Sequence, residues 1–512
     1  MPTPKLDRIT FAATFIALFA ICVPLILWPD ASGAVLGDLF NFMTKTFGVT
    51  YLWAGLGSLV FLSWLAFGQH GRTRLGEHTP DFSTFSWAAM LFCAGIASGI
   101  LYWSVIEWNY YYNSPPLGIE ARSERAAEWA AMYGIFHWGV TAWAFYAVPT
   151  VIIAYSYYVR GIHVLKISEV CRGFLGGLVD GPLGKLIDII FMFGLLGAAG
   201  TSLGLGTPLI AAGVTHLTGI EDSFGLKLTV LLACTAIFAV SVWSGLEKGI
   251  KLLSNLNTGL ALALLAFVLI VGPTAFMIKT GTNAIGLMLQ NFVRLNTWTD
   301  PVTQSGFPEG WTIFYWAWWI VYAPFMGLFV AKISRGRTIR GLIGGMLFFG
   351  TAGCAVYFAI LGNYAMDLEL TGAYDVTKSL GENGGPATII NVIATLPLSG
   401  VMVAVFCIVA LVYLATTFDS ASYTLAAVTS QNLEEDQHPA RWNRLFWAFA
   451  VALLPMALMF VGGLKSVQSA SVITALPMIV LLLVMVLSFI RDLKGTAPQA
   501  QAAAQKAVQP AE

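Results

Sequence analysis

Apolar runs of roughly 18 residues or more recur along the chain, with short polar stretches between them. In lipid every backbone N–H and C=O must be satisfied within its own segment, so each run predicts a transmembrane helix. Twelve runs stand out, at 10–28, 50–68, 84–108, 129–158, 183–213, 227–243, 255–277, 311–331, 341–362, 399–417, 443–463 and 467–490. They predict an all-α integral membrane protein forming one transmembrane domain over 1–512, with short tails at 1–9 and 495–512. The first run is too long for a cleavable signal, and no small-residue cleavage site follows it. The two longest loops are expected on the outer side, at 278–310 and 363–398. The second contains ATIINVIATLPL, a run too short to span and read as re-entrant or interfacial.

Charge orients this pattern. Most of the 27 Lys and Arg fall on the side that carries both termini, with the densest group in KISRGRTIR, Lys332 to Arg340. The positive-inside rule therefore places both tails in the cytoplasm. Only 11% of residues are charged and the net charge is zero, which argues against a nucleic-acid partner. None of the six Cys forms a CxxC pair, so neither a disulfide framework nor a structural zinc site is expected. The C-terminal tail, KGTAPQAQAAAQKAVQPAE, is Ala/Gln-rich and reads as disordered.

Two spans carry helix breakers. The third contains CAGIASG, in which Gly95, Ala97, Ser98 and Gly99 weaken the helix and permit close backbone approach. The eighth contains Pro324, which removes an intrahelical hydrogen bond. Paired breaks five spans apart point to an inverted-repeat transporter with a midplane site. Membrane helices also tolerate Gly and Pro for packing alone.

The eighth span has three Trp and two Tyr in FYWAWWIVYAPF, Phe314 to Phe325. At about 100° per residue, Tyr315, Trp318, Trp319 and Tyr322 share one face and Trp316 falls outside it. FHWGVTAWAFY in the fourth span adds Trp138, Trp143 and Tyr146, and the third ends in WSVIEWNYYY with Tyr110 to Tyr112. Aromatic faces are electron-rich, and a desolvated cation against several of them gains on the order of 2 kcal/mol or more per good contact. A quaternary ammonium or sulfonium head cannot be held by hydrogen bonds instead, so the clusters suit an onium cage; the alternative is packing between helices. Such a head usually comes with a carboxylate, which the free N–H groups of an interrupted CAGIASG helix would receive. The carbonyls of that segment, and Thr416, Thr417, Asp419 and Ser420 in ATTFDSAS, offer oxygens for a sodium ion; local bonds to the preceding turn are the other role for such hydroxyls. Of the six His only His137 lies in a span, where a hydrogen-bonded structural role is expected. Glu107 is an intramembrane acid, functional by default; near the outer end, a solvated or hydrogen-bonded structural role is the alternative, and Asp188 reads as interfacial.

These stretches resemble the betaine/carnitine/choline transporter family over essentially the whole chain. FHWGVTAWAFY, GTSLGLG (Gly200 to Gly206), SGLEKGIK (Ser244 to Lys251), FPEGWTIFYWAWW (Phe307 to Trp319) and KISRGRTIR carry the resemblance. It implies twelve helices, of which 3–7 and 8–12 form inverted repeats of the leucine-transporter type, a homotrimer, and a bacterial inner-membrane location. In the family's sodium-coupled betaine carriers the cage would fall on Trp138, Trp143, Tyr146 and Trp319; in its carnitine exchanger, on Tyr110, Trp138, Trp318 and Trp319. The resemblance also implies a sodium site at Cys93, Ile96, Tyr413, Thr416 and Thr417, with sodium as coupling ion and no other cofactor. Gly95-Ile96-Ala97-Ser98-Gly99, Tyr322 and Met326 resemble the carnitine branch. Asn257, where the exchanger has Arg, and Thr416-Thr417-Phe418-Asp419-Ser420 resemble the sodium-coupled members. The expectation is cation-coupled import of an onium zwitterion, with sodium-independent exchange as the alternative. Short tails suggest uptake that is not osmotically regulated. An enzyme would need clustered His, Asp or Cys in the spans, and a channel would need rings of charge or filter carbonyls; the sequence offers neither.

Overall fold

The computed structural model describes residues 5–508, except 77–78, 95–97, 163–165, 245–246, 432, 434–436 and 463. Only the backbone is described at 93–94, 238, 240–244, 247–255, 464–465, 467 and 495–508. The described residues form helices and no strands beyond two isolated bridges.

In chain order the principal helices are α1 Arg8–Leu27, α2 Pro29–Phe67, α3 Thr84–Ala94, α4 Ser98–Asn113, α5 Glu124–His137, α6 Val140–Tyr158 and α7 Pro182–Thr218. Next come α8 Phe224–Ser244, α9 Glu247–Val271, α10 Thr274–Thr297, α11 Pro308–Ile333 and α12 Ile339–Thr371. The chain closes with α13 Val376–Ala394, α14 Ser399–Val428, α15 Arg441–Val461 and α16 Leu464–Val508. Nine helices among the described residues are long and apolar enough to cross a membrane, taking α5 and α6 as one; α9 and α10, bent by 110°, make a tenth if counted together. The expected span 84–108 falls on α3 and α4, which flank 95–97, and 227–243 falls on α8.

Three expectations need correction. The interval 278–310 is not a loop throughout: α10 fills it as far as Thr297, burying Met277, Gly281, Ala284 and Met288 on one side. Their three- and four-residue spacing is helical, but interspersed Thr, Asn, Lys and Gln hide it from a hydropathy reading. The interval 363–398 likewise contains α13, which has a kink at Gly384 (φ 75°). The ATIINVIATLPL segment starts within α13, with Ile389, Ile390 and Ile393 buried. Finally, Pro324 does not break its span, because α11 runs through it as helix to Ile333. Neighbouring helices accommodate the lost bond, as is common in membrane bundles.

The least exposed helices are central. The apolar window of α5–α6 is 94% buried, against 28% in α1. Close approach explains this: a Cβ on Gly327 of α11 would lie 3.1 Å from the Thr150 backbone nitrogen of α6, and one on Gly134 of α5 would lie 2.3 Å from the Phe358 ring of α12. Glycine lets these helices touch.

One face carries the basic loop. Leu75 N–H donates to Arg337 O (2.9 Å) and Ile339 N–H to Thr73 O (3.0 Å), joining it to the α2–α3 connection. On the same side Asp7 lies 3.6 Å from Lys166 and 3.7 Å from Lys185. Burial raises the Asp7 carboxyl, but the Thr10 N–H and the two lysines outweigh it and hold the group below the usual carboxylate value. Asp188, near the start of α7, is buried in the protein and accepts from the Ser168 N–H (3.0 Å) and hydroxyl (2.9 Å).

Candidate functional site

The site begins at a break that the sequence pattern does not advertise. Between α5 and α6 the helix is interrupted at Trp138 and Gly139, the latter with φ −95° and ψ −144°. A Cβ on Gly139 would lie 2.5 Å from the Ile135 carbonyl oxygen, so the turn requires glycine. Backbone groups stay paired across the break: Trp138 N–H donates to Gly134 O, and Trp143 N–H to Gly139 O (3.2 and 3.1 Å). Trp138 thereby leaves the helical register and meets α11. Trp138 and Tyr146, on opposite sides of the break, nevertheless meet the same ring, Trp319.

Five aromatic rings follow one another here. Trp138 stands nearly perpendicular to Trp319 (centroids 5.0 Å, 86°) and to Trp318 (5.8 Å, 83°). Trp318 and Trp319 lie near-parallel at 6.2 Å. Tyr146 meets Trp319 edge to face at 5.2 Å, and Trp143 meets Tyr146 at 5.6 Å. Edge-to-face contact of this kind is a packing geometry that aromatic rings prefer. The Trp319 indole N–H is fixed on the His137 carbonyl at 2.9 Å, whereas the buried Trp318 indole N–H has no partner. Gly99 makes the approach possible, since a Cβ there would lie 2.9 Å from the Trp318 ring. Trp316 turns away, packing on Phe136 and Phe145 (5.3 and 5.8 Å).

Behind Trp138 lies a polar cluster. Glu107 has no exposed surface, so a solvated position is excluded. Its carboxylate accepts from the Tyr111 hydroxyl (2.6 Å), the Tyr315 hydroxyl (2.5 Å) and the Trp138 indole N–H (3.1 Å). His137 Nδ1 lies 3.5 Å from the carboxylate and 2.9 Å from the Tyr111 oxygen, and its Nε2 lies 3.1 Å from the Thr312 hydroxyl. His137 thus has the hydrogen-bonded role expected of it. The sequence showed Glu107 and His137 separately; nothing in their spacing showed that α4, α5 and α11 would join them.

The remaining candidates lie around this centre. Tyr110 packs at a tilt against Trp311 and Trp103 (5.2 and 6.3 Å). The Tyr322 hydroxyl pairs with Ser202 of α7 (2.9 Å), and Ser98 donates to the Ser202 carbonyl (3.3 Å). Met326 is buried one turn beyond Tyr322. Thr416 and Thr417 donate to the Tyr413 carbonyl (3.0 and 2.8 Å), the local bonding considered above, and Asp419 lies 3.4 Å from Arg444. Asn257 lies among the residues with described side chains and donates to Val409 O (3.3 Å). Gly95, Ile96 and Ala97, and the side chain of Cys93, lie outside the described residues, as do most of the side chains of SGLEKGIK.

Tightly packed apolar helices around a buried aromatic and acidic centre define a multi-pass helical membrane protein. Its sequence matches the family model of BCCT, betaine/carnitine/choline family transporter, over residues 9–498, and the chain belongs to that family. It is a transporter, not an enzyme. The chain is 39% identical over 432 residues to an uncharacterized transporter, YeaV, of Escherichia coli K12, covering 84% of this chain and 90% of that one. It is 33% identical over 479 residues to a carnitine transporter of Acinetobacter baumannii, covering 93% and 87% respectively.

Proposed function

We propose that the chain imports a zwitterion with an onium head, of the class of carnitine, γ-butyrobetaine, glycine betaine or dimethylsulfoniopropionate, by alternating access. The observation that carries this is the perpendicular Trp138–Trp319 corner, extended by Trp318, Tyr146 and Trp143. Such faces attract a cation that offers no hydrogen bonds. Tyr322 and Met326, and the relative named as a carnitine transporter, favour carnitine or γ-butyrobetaine. The carboxylate would be received by the N–H groups of the segment that holds Gly95, Ala97, Ser98 and Gly99.

Coupling is read as cation symport. Tyr413, Thr416 and Thr417, with Cys93 and Ile96, form the proposed sodium site, and Asn257 is neutral where an arginine would replace the ion. The protein is placed as a homotrimer in the bacterial inner membrane, with both termini cytoplasmic. Uptake of labelled betaines into liposomes holding purified protein tests this. A sodium or proton gradient should drive uptake into empty vesicles. Uptake only into vesicles preloaded with substrate would reverse the reading to exchange, and uptake of no onium compound would refute the substrate class.

A further inference from the structure

The proposed site includes a buried acidic group bonded to one of its rings. Glu107 lies in the bundle interior, and among the described residues no Lys or Arg pairs with it. Three donors on two oxygens suit an ionised carboxylate, which only accepts. The proton order of the cluster follows from hydrogen-bond bookkeeping. Tyr111 gives its one proton to Glu107, so its oxygen accepts from His137 Nδ1–H. His137 Nε2 then accepts from Thr312. Every group is satisfied with a neutral imidazole, a tautomer assigned from the network. Tyr315 stacks on the His137 ring (4.8 Å) and also gives its proton to Glu107, while the other titratable groups nearby, Tyr133 and Tyr110, are phenols and add no carboxylate or amine. The cluster therefore holds one net negative charge.

We infer that Glu107 is the counter-charge for the onium head, acting through the Trp138 indole. The carboxylate is bonded to the edge of the ring whose face forms the proposed cage. Polarisation of the N–H toward the carboxylate pushes electron density onto the indole, and cation attraction to a ring is electrostatic. An unpaired charge in a membrane interior is costly, and an arriving cation relieves that cost. A neutral guest of the same shape relieves nothing. The aromatic rings supply the fit, and Glu107 supplies the preference for charge. This inference rests on the onium reading above.

The test compares carnitine and glycine betaine with their isosteres in which carbon replaces the onium nitrogen, measuring competition for labelled substrate on purified protein. Wild-type protein should prefer the charged member. In Glu107→Gln that preference should shrink by about tenfold or more, through weaker binding of the charged member alone, as expected for a charge acting over several ångströms. Tyr111→Phe, which keeps the carboxylate, should leave the preference within about twofold. Equal loss for both ligands in Glu107→Gln, or no change, would overturn the inference while leaving the onium reading intact. Absence of any preference in the wild type would instead remove the onium reading. Should Glu107→Gln not fold, infrared difference spectra of wild-type protein carrying carbon-13-labelled Glu decide the matter. A carboxylate stretch that responds to carnitine and not to its isostere supports the counter-charge, and a protonated carbonyl band overturns it.

Discussion

The two spans that bring tryptophan to the centre are built in opposite ways. α11 contains Pro324 and stays helical; the α5–α6 junction contains no proline and breaks at Trp138–Gly139. A breaker's identity does not decide where a membrane helix opens. What decides it is whether the surroundings hold the freed backbone. At Pro324 one bond is missing and close neighbours, including Gly327 on Thr150, keep the axis. At Gly139 the chain takes an extended angle, the carbonyls of Gly134 and Phe136 are satisfied across the turn, and the indole of Trp138 is tied to Glu107. Regular geometry in α11 places Trp318, Trp319 and Tyr322 on one face; irregular geometry opposite supplies the perpendicular ring.

This contrast can be broken experimentally. The largest effect is expected from Trp138→Leu, which removes both the corner and the bond to Glu107. Losing one good cation contact together with the link to the buried carboxylate should weaken onium binding by about a hundredfold or more in equilibrium binding. Gly139→Ala should follow, because its Cβ would lie 2.5 Å from the Ile135 oxygen. A shifted Trp138 should weaken binding by about tenfold, measured the same way. Substituting both Thr416 and Thr417 with Ala should raise the sodium concentration needed for half-maximal uptake without changing affinity at saturating sodium; an unaltered sodium curve removes these hydroxyls from the proposed ion site. Pro324→Ala should have the smallest effect, within about twofold in uptake, since α11 is already continuous. A large loss there would mean that the proline shapes a state other than the one described.

The sequence made the α11 face legible because the helix is regular from Phe314 onward, so the 100° arithmetic holds and sets Trp316 off that face, against Phe136 and Phe145. Across Trp138 the continuity that such arithmetic assumes ends at Gly139, yet Trp138 and Tyr146 both reach Trp319. The H-W-G order was the available signal, and it reads as a break only once the Ile135 carbonyl is seen against the glycine. α10 was hidden by its polar face. The long apolar runs were read from hydropathy alone, and most correspond to candidate spans. Glu107 was visible as an intramembrane acid, but its three donors come from residues 4, 31 and 208 positions away, and only the fold brings the last two to it.

The central claim is that aromatic faces, not packing alone, hold the substrate. Equilibrium binding of labelled carnitine and glycine betaine to purified Trp319→Leu, beside Trp316→Leu, tests it most directly. Both rings are large and buried, but only Trp319 belongs to the corner. The account predicts that Trp319→Leu loses onium binding by about thirtyfold or more while eluting as folded protein, and that Trp316→Leu lowers thermal stability and keeps its affinity. Undiminished affinity in Trp319→Leu, or an equal loss in both variants, would contradict it.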